Sequence, residues 1–376
     1  MKGALTWGLL GALGCGGGAP LGEPRAPSQV SATSPSATLA FHPDLLSEWV
    51  TDTVSQGLGP FTIAGPSGWP LVVEVSDFNF TLHPQEGHLG DGLPATAQAV
   101  ANAAVSAPPF FDFGKIPVQM SVPLQFTLGP DPESCLALYA SLESTVRLDP
   151  STFKGDLGAI SQGFLESFVT EQAERALQEP LWRPAIPESL CPTLSPVTFF
   201  TASDQVVLLF GARPSSWEAA SSPLDTPTSW RGQIHGSLPG HLLEASGGDT
   251  QPWSASEARS YLDSEQWVIE AKLGLRRNPQ RWRMLRGVYS LVLTESHLSL
   301  SQEALEQASA QRPPPLPLLP SVKNRIQNLV ERQQWARKLD TTILQTPMRI
   351  EVNELSWEVE HLTLQGQIFP LNPPTP

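Results

Sequence analysis

The sequence predicts an α+β fold: long curved antiparallel strands with amphipathic helices packed on them, and one helix–strand unit repeated near each end of the chain. Three observations lead there. Residues 70–82 read PLVVEVSDFNFTL and residues 347–359 read PMRIEVNELSWEV, a position-by-position match of type. In the first stretch the apolar residues are Leu71, Val73 and Val75, then Phe78, Phe80 and Leu82; in the second they are Met348, Ile350 and Val352, then Leu355, Trp357 and Val359. Strand side chains alternate faces, so the change of phase at Ser76-Asp77 and again at Asn353-Glu354 predicts an extra residue, a bulge or bend, in each. Finally, each stretch follows a segment with helical periodicity, PDLLSEWVTDTVSQG from Pro43 and the run Ser321–Asp340. The residues on one helical face are Leu45, Leu46, Trp49, Val50, Thr53 and Val54, and the second segment's apolar stripe is Val322, Ile326, Leu329, Val330, Ala336 and Leu339.

Taken from the N-terminus, residues 1–15 (MKGALTWGLLGALGC) hold one lysine, a short apolar run from Ala4 to Leu13, then Gly14 and Cys15. This is a charged leader with an apolar segment too short to span a bilayer. Ala12-Leu13-Gly14-Cys15 resembles the lipobox of bacterial lipoprotein precursors, with Ala12 where that family prefers Leu. The resemblance implies that 1–14 are a signal peptide and that the Cys15 sulfur is acylated, tying the protein to a membrane at about 0.8 kcal/mol per buried methylene. Gly16, not Asp, after the cysteine implies the outer membrane, with the body in the periplasm or at the cell surface. The alternative is an ordinary secretory signal cleaved nearby. Residues 16–39, rich in Gly, Pro, Ser, Thr and Ala, predict a flexible tether, completing an anchor segment over 15–40 with a reach of roughly 25–30 Å.

The body divides into 41–195 and 196–376, two α+β domains or halves. Val118–Leu128 and Leu136–Leu148 alternate cleanly around GPDPES and predict an antiparallel hairpin. A helix is predicted from Leu157 to Leu177, ended by Pro180. In the second half Gln205–Phe210 reads as a strand, and Trp267–Arg277 pairs with Arg281–Thr294. QRPPPLPLLP at 311–320 reads as a polyproline spacer. The repeated helix and bent strand resemble the architecture of the tubular lipid-binding (TULIP) superfamily, a likeness of architecture without a shared motif. That resemblance implies binding of an acyl-chain ligand or a structural role at the envelope.

Composition excludes some chemistry. The net charge is −14 over 376 residues, so clustered phosphate contacts to nucleic acid are not expected. Charged residues are only 16% of the chain and apolar ones 40%, ample for a core. Of three cysteines, Cys135 and Cys191 remain once Cys15 is acylated, and an oxidising compartment predicts a disulfide between them, worth roughly 3–4 kcal/mol; two buried free thiols are the alternative. The seven histidines form no HExxH, and no G-x-S-x-G elbow occurs. His83 with His88, and His235 with His241, flank turns, and GHLGDG at 87–92 lacks the lysine of a phosphate loop. No metal, cofactor or catalytic residue is therefore expected, and the protein is read as a non-enzyme.

One cluster stands against the acidic background: Arg276, Arg277, Arg281, Arg283 and Arg286, with Trp282 among them. It reads either as an anion-binding site for lipid head groups or acidic partners, or as charges that keep an exposed ribbon from pairing with other chains. The functional expectation is a cell-envelope lipoprotein that binds a hydrophobic or amphipathic ligand in a groove. The alternatives are a scaffold that docks other envelope proteins and, more remotely, a hydrolase with dispersed residues.

Overall fold

The computed structural model describes residues 36–57, 60–64, 70–107, 111–132, 135–149, 162–163, 166–167, 169–171, 173–175, 177–183, 194–202, 204–211, 224, 226–240, 253–275, 278–308, 334–343 and 346–370. In chain order these contain β1 (Ala37–Phe41), α1 (Pro43–Gly57), β2 (Phe61–Ala64), β3 (Pro70–Pro84), β4 (Leu89–Gly90), β5 (Gly92–Ala107), β6 (Phe111–Asp131), β7 (Cys135–Leu142), β8 (Arg147–Leu148), β9 (Val197–Ala202) and β10 (Gln205–Phe210). There follow β11 (Ser229–His235), β12 (Trp253–Asp263), β13 (Gln266–Leu275), β14 (Asn278–Leu293), β15 (His297–Ala308), β16 (Gln334–Ala336), β17 (Lys338–Ile343), β18 (Thr346–Trp357) and β19 (His361–Pro370). The strands form three antiparallel sheets. One has six strands (β2-β3-β5-β6-β7, with β8 also on β6), one five (β12-β13-β14-β15-β16), and one eight (β17-β18-β19-β11-β1-β10-β9-β4).

This corrects the α+β expectation, since the described chain is built mainly of antiparallel β-sheet. Of the two helices predicted before the repeated strands, α1 forms. The run Ser321–Asp340 does not end as a helix: 334–336 and 338–343 are strands, and 321–333 lie outside the described residues. Trp335, Leu339, Thr341 and Ile343 alternate as a strand does, and the β-branched Thr341, Thr342 and Ile343 favour that conformation. Helical residues also occur within 162–175 and at 238–240.

Sequence explains most of what does form. Pro43 opens α1 and Asp44 sits in its first turn. Leu45, Leu46 and Val50 are each 1% exposed in the main core. The hairpin predicted around GPDPES is β6 on β7, with Leu124 opposite Leu142 and Asp131 opposite Cys135. Arg147 and Leu148 then return to β6 beside Ser121 and Met120.

The eight-stranded sheet takes strands from both sides of residue 195 and feeds both main cores. Val206, Leu208 and Phe210 on one face of β10 join Phe80, Met120 and Phe126 of the six-stranded sheet. Val207 and Leu209 face the other way, with Ala40. Leu362 of β19 joins Trp267, Ile269, Tyr289 and Leu300 of the five-stranded sheet.

Both changes of phase in the repeated stretches coincide with slips in pairing. In β3 the register moves between Ser76 and Asn79, and Asp77 has a φ of +57°. In β18 it moves between Val352 and Glu354. Asp tolerates the left-handed region because its short side chain bonds locally. Here Asp77 Oδ2 accepts hydrogen bonds from Ser76 Oγ (3.1 Å) and Asn102 Nδ2 (2.9 Å).

Candidate functional site

The inner face of the six-stranded sheet carries an unusual central strand. Along β5 the inward positions are Leu93, Ala95, Ala97, Ala99 and Ala101, none more than 6% exposed. On one side stand Phe80 and Leu82 of β3; on the other stand Val118, Met120, Val122, Leu124 and Phe126 of β6. A strip of methyl groups thus runs between two strips of large side chains. Strand geometry makes it about 27 Å long and spaces the flanking strands about 10 Å apart. Leu45, Leu46 and Val50 of α1 belong to the same core.

α1 is placed there partly by an unusual edge contact. Beyond Val73 the strand β2 no longer pairs with β3. Ser47 Oγ accepts the Leu82 N–H (3.0 Å), and Thr51 Oγ1 accepts the Phe80 N–H (3.1 Å). One helical turn between these hydroxyls rises about 6 Å, close to the two-residue step of a strand. The helix therefore satisfies amides that a neighbouring strand would otherwise take.

At the β8 margin of the same sheet lies an open groove of ≈ 530 Å³. Met120 and Leu148, register partners in the core, are among its lining, and Ala99 of the alanine row is opposite Met120. Its rim is polar: Gln98, Gln119, Ser121, Arg147, Asp149, Gln162 and Glu166 contribute, and Gln98, Gln119, Ser121 and Arg147 face away from the alanine row. Glu166 Oε1 accepts the Leu148 N–H (2.9 Å) and a Gln162 Nε2 hydrogen (3.1 Å), which fixes its carboxylate. Arg147 is exposed and has no ion-pair partner among the described residues. A second cleft, of ≈ 440 Å³, lies between α1 and β3 beside Asp44, Glu48 and Asn79.

Of the site residues singled out from sequence, the structure describes the side chain of Arg286. Arg286 lies on β14, an inner strand of the five-stranded sheet. Its guanidinium is shared between Glu270 (3.7 Å) and Glu306 (3.9 Å), and Arg259 Nε donates to the same Glu270 at 2.7 Å. The four residues are register partners across β12 to β15, a cross-strand row of alternating charge. Arg276, Arg277, Cys15 and Cys191 lie outside the described residues, as do the side chains of Arg281, Arg283 and Cys135. His88 Nε2 is bonded to the Gly92 carbonyl oxygen within its turn. His235 Nδ1 accepts the Ser237 N–H (3.2 Å), and its ring stands edge-on to His361 at 5.2 Å.

Among the described residues no group of three His, Cys, Asp or Glu side chains is arranged to hold a metal ion. No described helix is long and apolar enough to cross a membrane. Burial pushes the Tyr289 phenol well above its usual pKa. The hydroxyl has no hydrogen-bond partner, and its ring lies across Gly287, where a Cβ would sit 2.5 Å from it.

No protein-family model matches the chain, and no curated protein matches it. Among solved structures, P47 of Clostridium botulinum E1 is similar at a TM-score of 0.38 and 9% identity, covering 89% of this chain and 99% of that one. P47 from Clostridium botulinum A2 is similar at 0.39 and 6%, covering 90% and 98%. A lipopolysaccharide binding protein is similar at 0.31 and 12%, covering 90% and 100%. At these TM-scores the likeness assigns neither a family nor a ligand.

Proposed function

We propose that the protein is a non-enzymatic cell-envelope lipoprotein, tied to the outer membrane through acylated Cys15, whose body binds a hydrophobic or amphipathic ligand along β5. The observation that supports this is the alanine row Ala95, Ala97, Ala99 and Ala101 between strips of large apolar side chains. A core optimised for packing alone favours interdigitating large and small residues. The row of small side chains is where the acyl chain of such a ligand would lie, with the large side chains on either side parting to admit it.

Native mass spectrometry of protein extracted from membranes tests the reading. Co-purifying lipid is expected. Ala97→Leu should exclude it while a thermal melt shows the fold intact. A wild-type protein that carries no lipid and takes up no fluorescent fatty acid after delipidation overturns the proposal. Acylation is checked separately, by the mass of the mature N-terminal peptide and by the loss of membrane association in Cys15→Ser.

A further inference from the structure

The polar groove lies on the face of the sheet opposite the alanine row. Its rim combines one exposed cation, Arg147, with two carboxylates, Asp149 and Glu166, the second of them held in place. Arg147 and Glu166 are not paired with each other. An unpaired Arg beside an anchored carboxylate presents separated positive and negative charge to whatever enters. Gln98, Gln119 and Ser121, from adjacent β5 and β6, add neutral donors and acceptors beside them. Met120 and Leu148 also line it, but their side chains belong to the buried face of the sheet, opposite to Gln119, Ser121 and Arg147.

A ligand complementary to that arrangement is itself zwitterionic. A guanidinium suits a phosphate, whose oxygens its planar fork can meet two at a time. A carboxylate acceptor suits an ammonium that still has N–H groups to donate. We propose that the groove binds a phosphate ester bearing a primary ammonium, a phosphoethanolamine-type head group, with Arg147 on the phosphate and Glu166 on the ammonium. This rests on the lipid-binding reading only for its physiological source. The same chemistry could come from a membrane lipid or from a soluble phosphodiester.

Calorimetric titration of the purified protein with glycerophosphoethanolamine, glycerophosphocholine, glycerophosphoglycerol and inorganic phosphate is the test. Glycerophosphoethanolamine should bind best. The choline ester should bind more weakly because its quaternary nitrogen has no hydrogen to give Glu166. Arg147→Gln and Glu166→Gln should each weaken binding about tenfold, the loss of one charge-assisted contact. Glutamine at 166 keeps an acceptor for the Leu148 N–H, so folding should be preserved; Arg175→Gln, in an exposed pair with Glu171, serves as the control.

Equal binding of the choline and ethanolamine esters, binding of inorganic phosphate alone, or indifference to Glu166→Gln overturns the proposal. The two readings fail separately. Lipid that co-purifies with flat head-group titrations sinks this one and leaves the other standing. Head-group binding without any lipid uptake does the reverse. Native mass spectrometry after incubation with vesicles of phosphatidylethanolamine, set against the soluble ester, distinguishes the two sources.

Discussion

β3 and β18 share a sequence pattern and a slipped register, yet the slips are held in different ways. In β3 the extra residue is surface-exposed and stabilised locally, by Asp77 receiving hydrogen bonds from Ser76 and Asn102. The edge beyond it is covered by the hydroxyls of α1. In β18 the hold comes from another part of the chain. Arg337, between β16 and β17, accepts the Val352 N–H through its carbonyl (3.0 Å) and donates from Nε to the Val352 carbonyl (2.7 Å). Its own N–H reaches Ser296 O (3.1 Å) in the β14–β15 turn. The consequences differ too. Before the slip, Met348 and Ile350 pack in the core shared with the six-stranded sheet; after it, Leu355 and Trp357 pack in the core of the five-stranded sheet. One extra residue lets a single strand serve two cores on opposite faces. The same device can thus be a local irregularity or a joint, depending on what the strand faces afterwards.

The largest expected effect comes at the residue across from the β18 slip. Val352 is opposite Gly366, where a Cβ would lie 1.8 Å from the Glu351 carbonyl oxygen and 2.9 Å from Trp230 Nε1. Gly366→Ala should destabilise by on the order of 4 kcal/mol in urea unfolding. Asn102→Ala, at the matching place across from β3, should cost well under half of that. Equal costs would mean that the two slips are built alike.

Next comes Arg337→Met, which keeps much of the stem but removes the guanidinium contact to the slipped strand. A loss of about 2 kcal/mol is expected. Trp357, edge-on to Trp267 at 6.0 Å, should report it by a change in fluorescence. An unchanged spectrum with unchanged stability would remove Arg337 from its role as the joint.

Ser47→Ala should cost about 1 kcal/mol, because the Leu82 N–H is left buried without an acceptor. Amide exchange at Leu82 should quicken in that variant while exchange on β6 stays slow. The smallest effect is Asp77→Gly. Glycine relieves the left-handed backbone but forfeits the Asn102 contact, and the two should cancel to within about 0.5 kcal/mol. A large loss there would show that the β3 slip is also a joint.

The strand slips were readable from sequence because a change of phase in apolar alternation has few other causes. The hairpin of β6 and β7 was readable for the same reason. What escaped was β5, and with it the candidate site. Alanine has weak strand propensity and little hydrophobic contrast, so the alternation of Leu93 and four alanines with Pro94, Thr96, Gln98 and Val100 carries almost no signal. The groove escaped because Gln98, Arg147 and Glu166 meet only through tertiary packing. β1 is five ordinary residues whose partners lie far along the chain, at 206–210 and 230–234. The run Ser321–Asp340 misled because its apolar residues fit a helical period over most of its length, while the closing Trp335–Ile343 follows the strand period.

That short β1 gives the molecule a mechanical property. It sits between β10 and β11 in the interior of the eight-stranded sheet, bonded along its length on both sides. Tension applied to the chain ahead of Ser36 runs parallel to those two ladders. It loads their hydrogen bonds together in shear, whereas a terminal strand at a sheet edge would peel away one bond at a time. A body hung from its N-terminus by this strand resists being pulled apart at the point where the pull arrives.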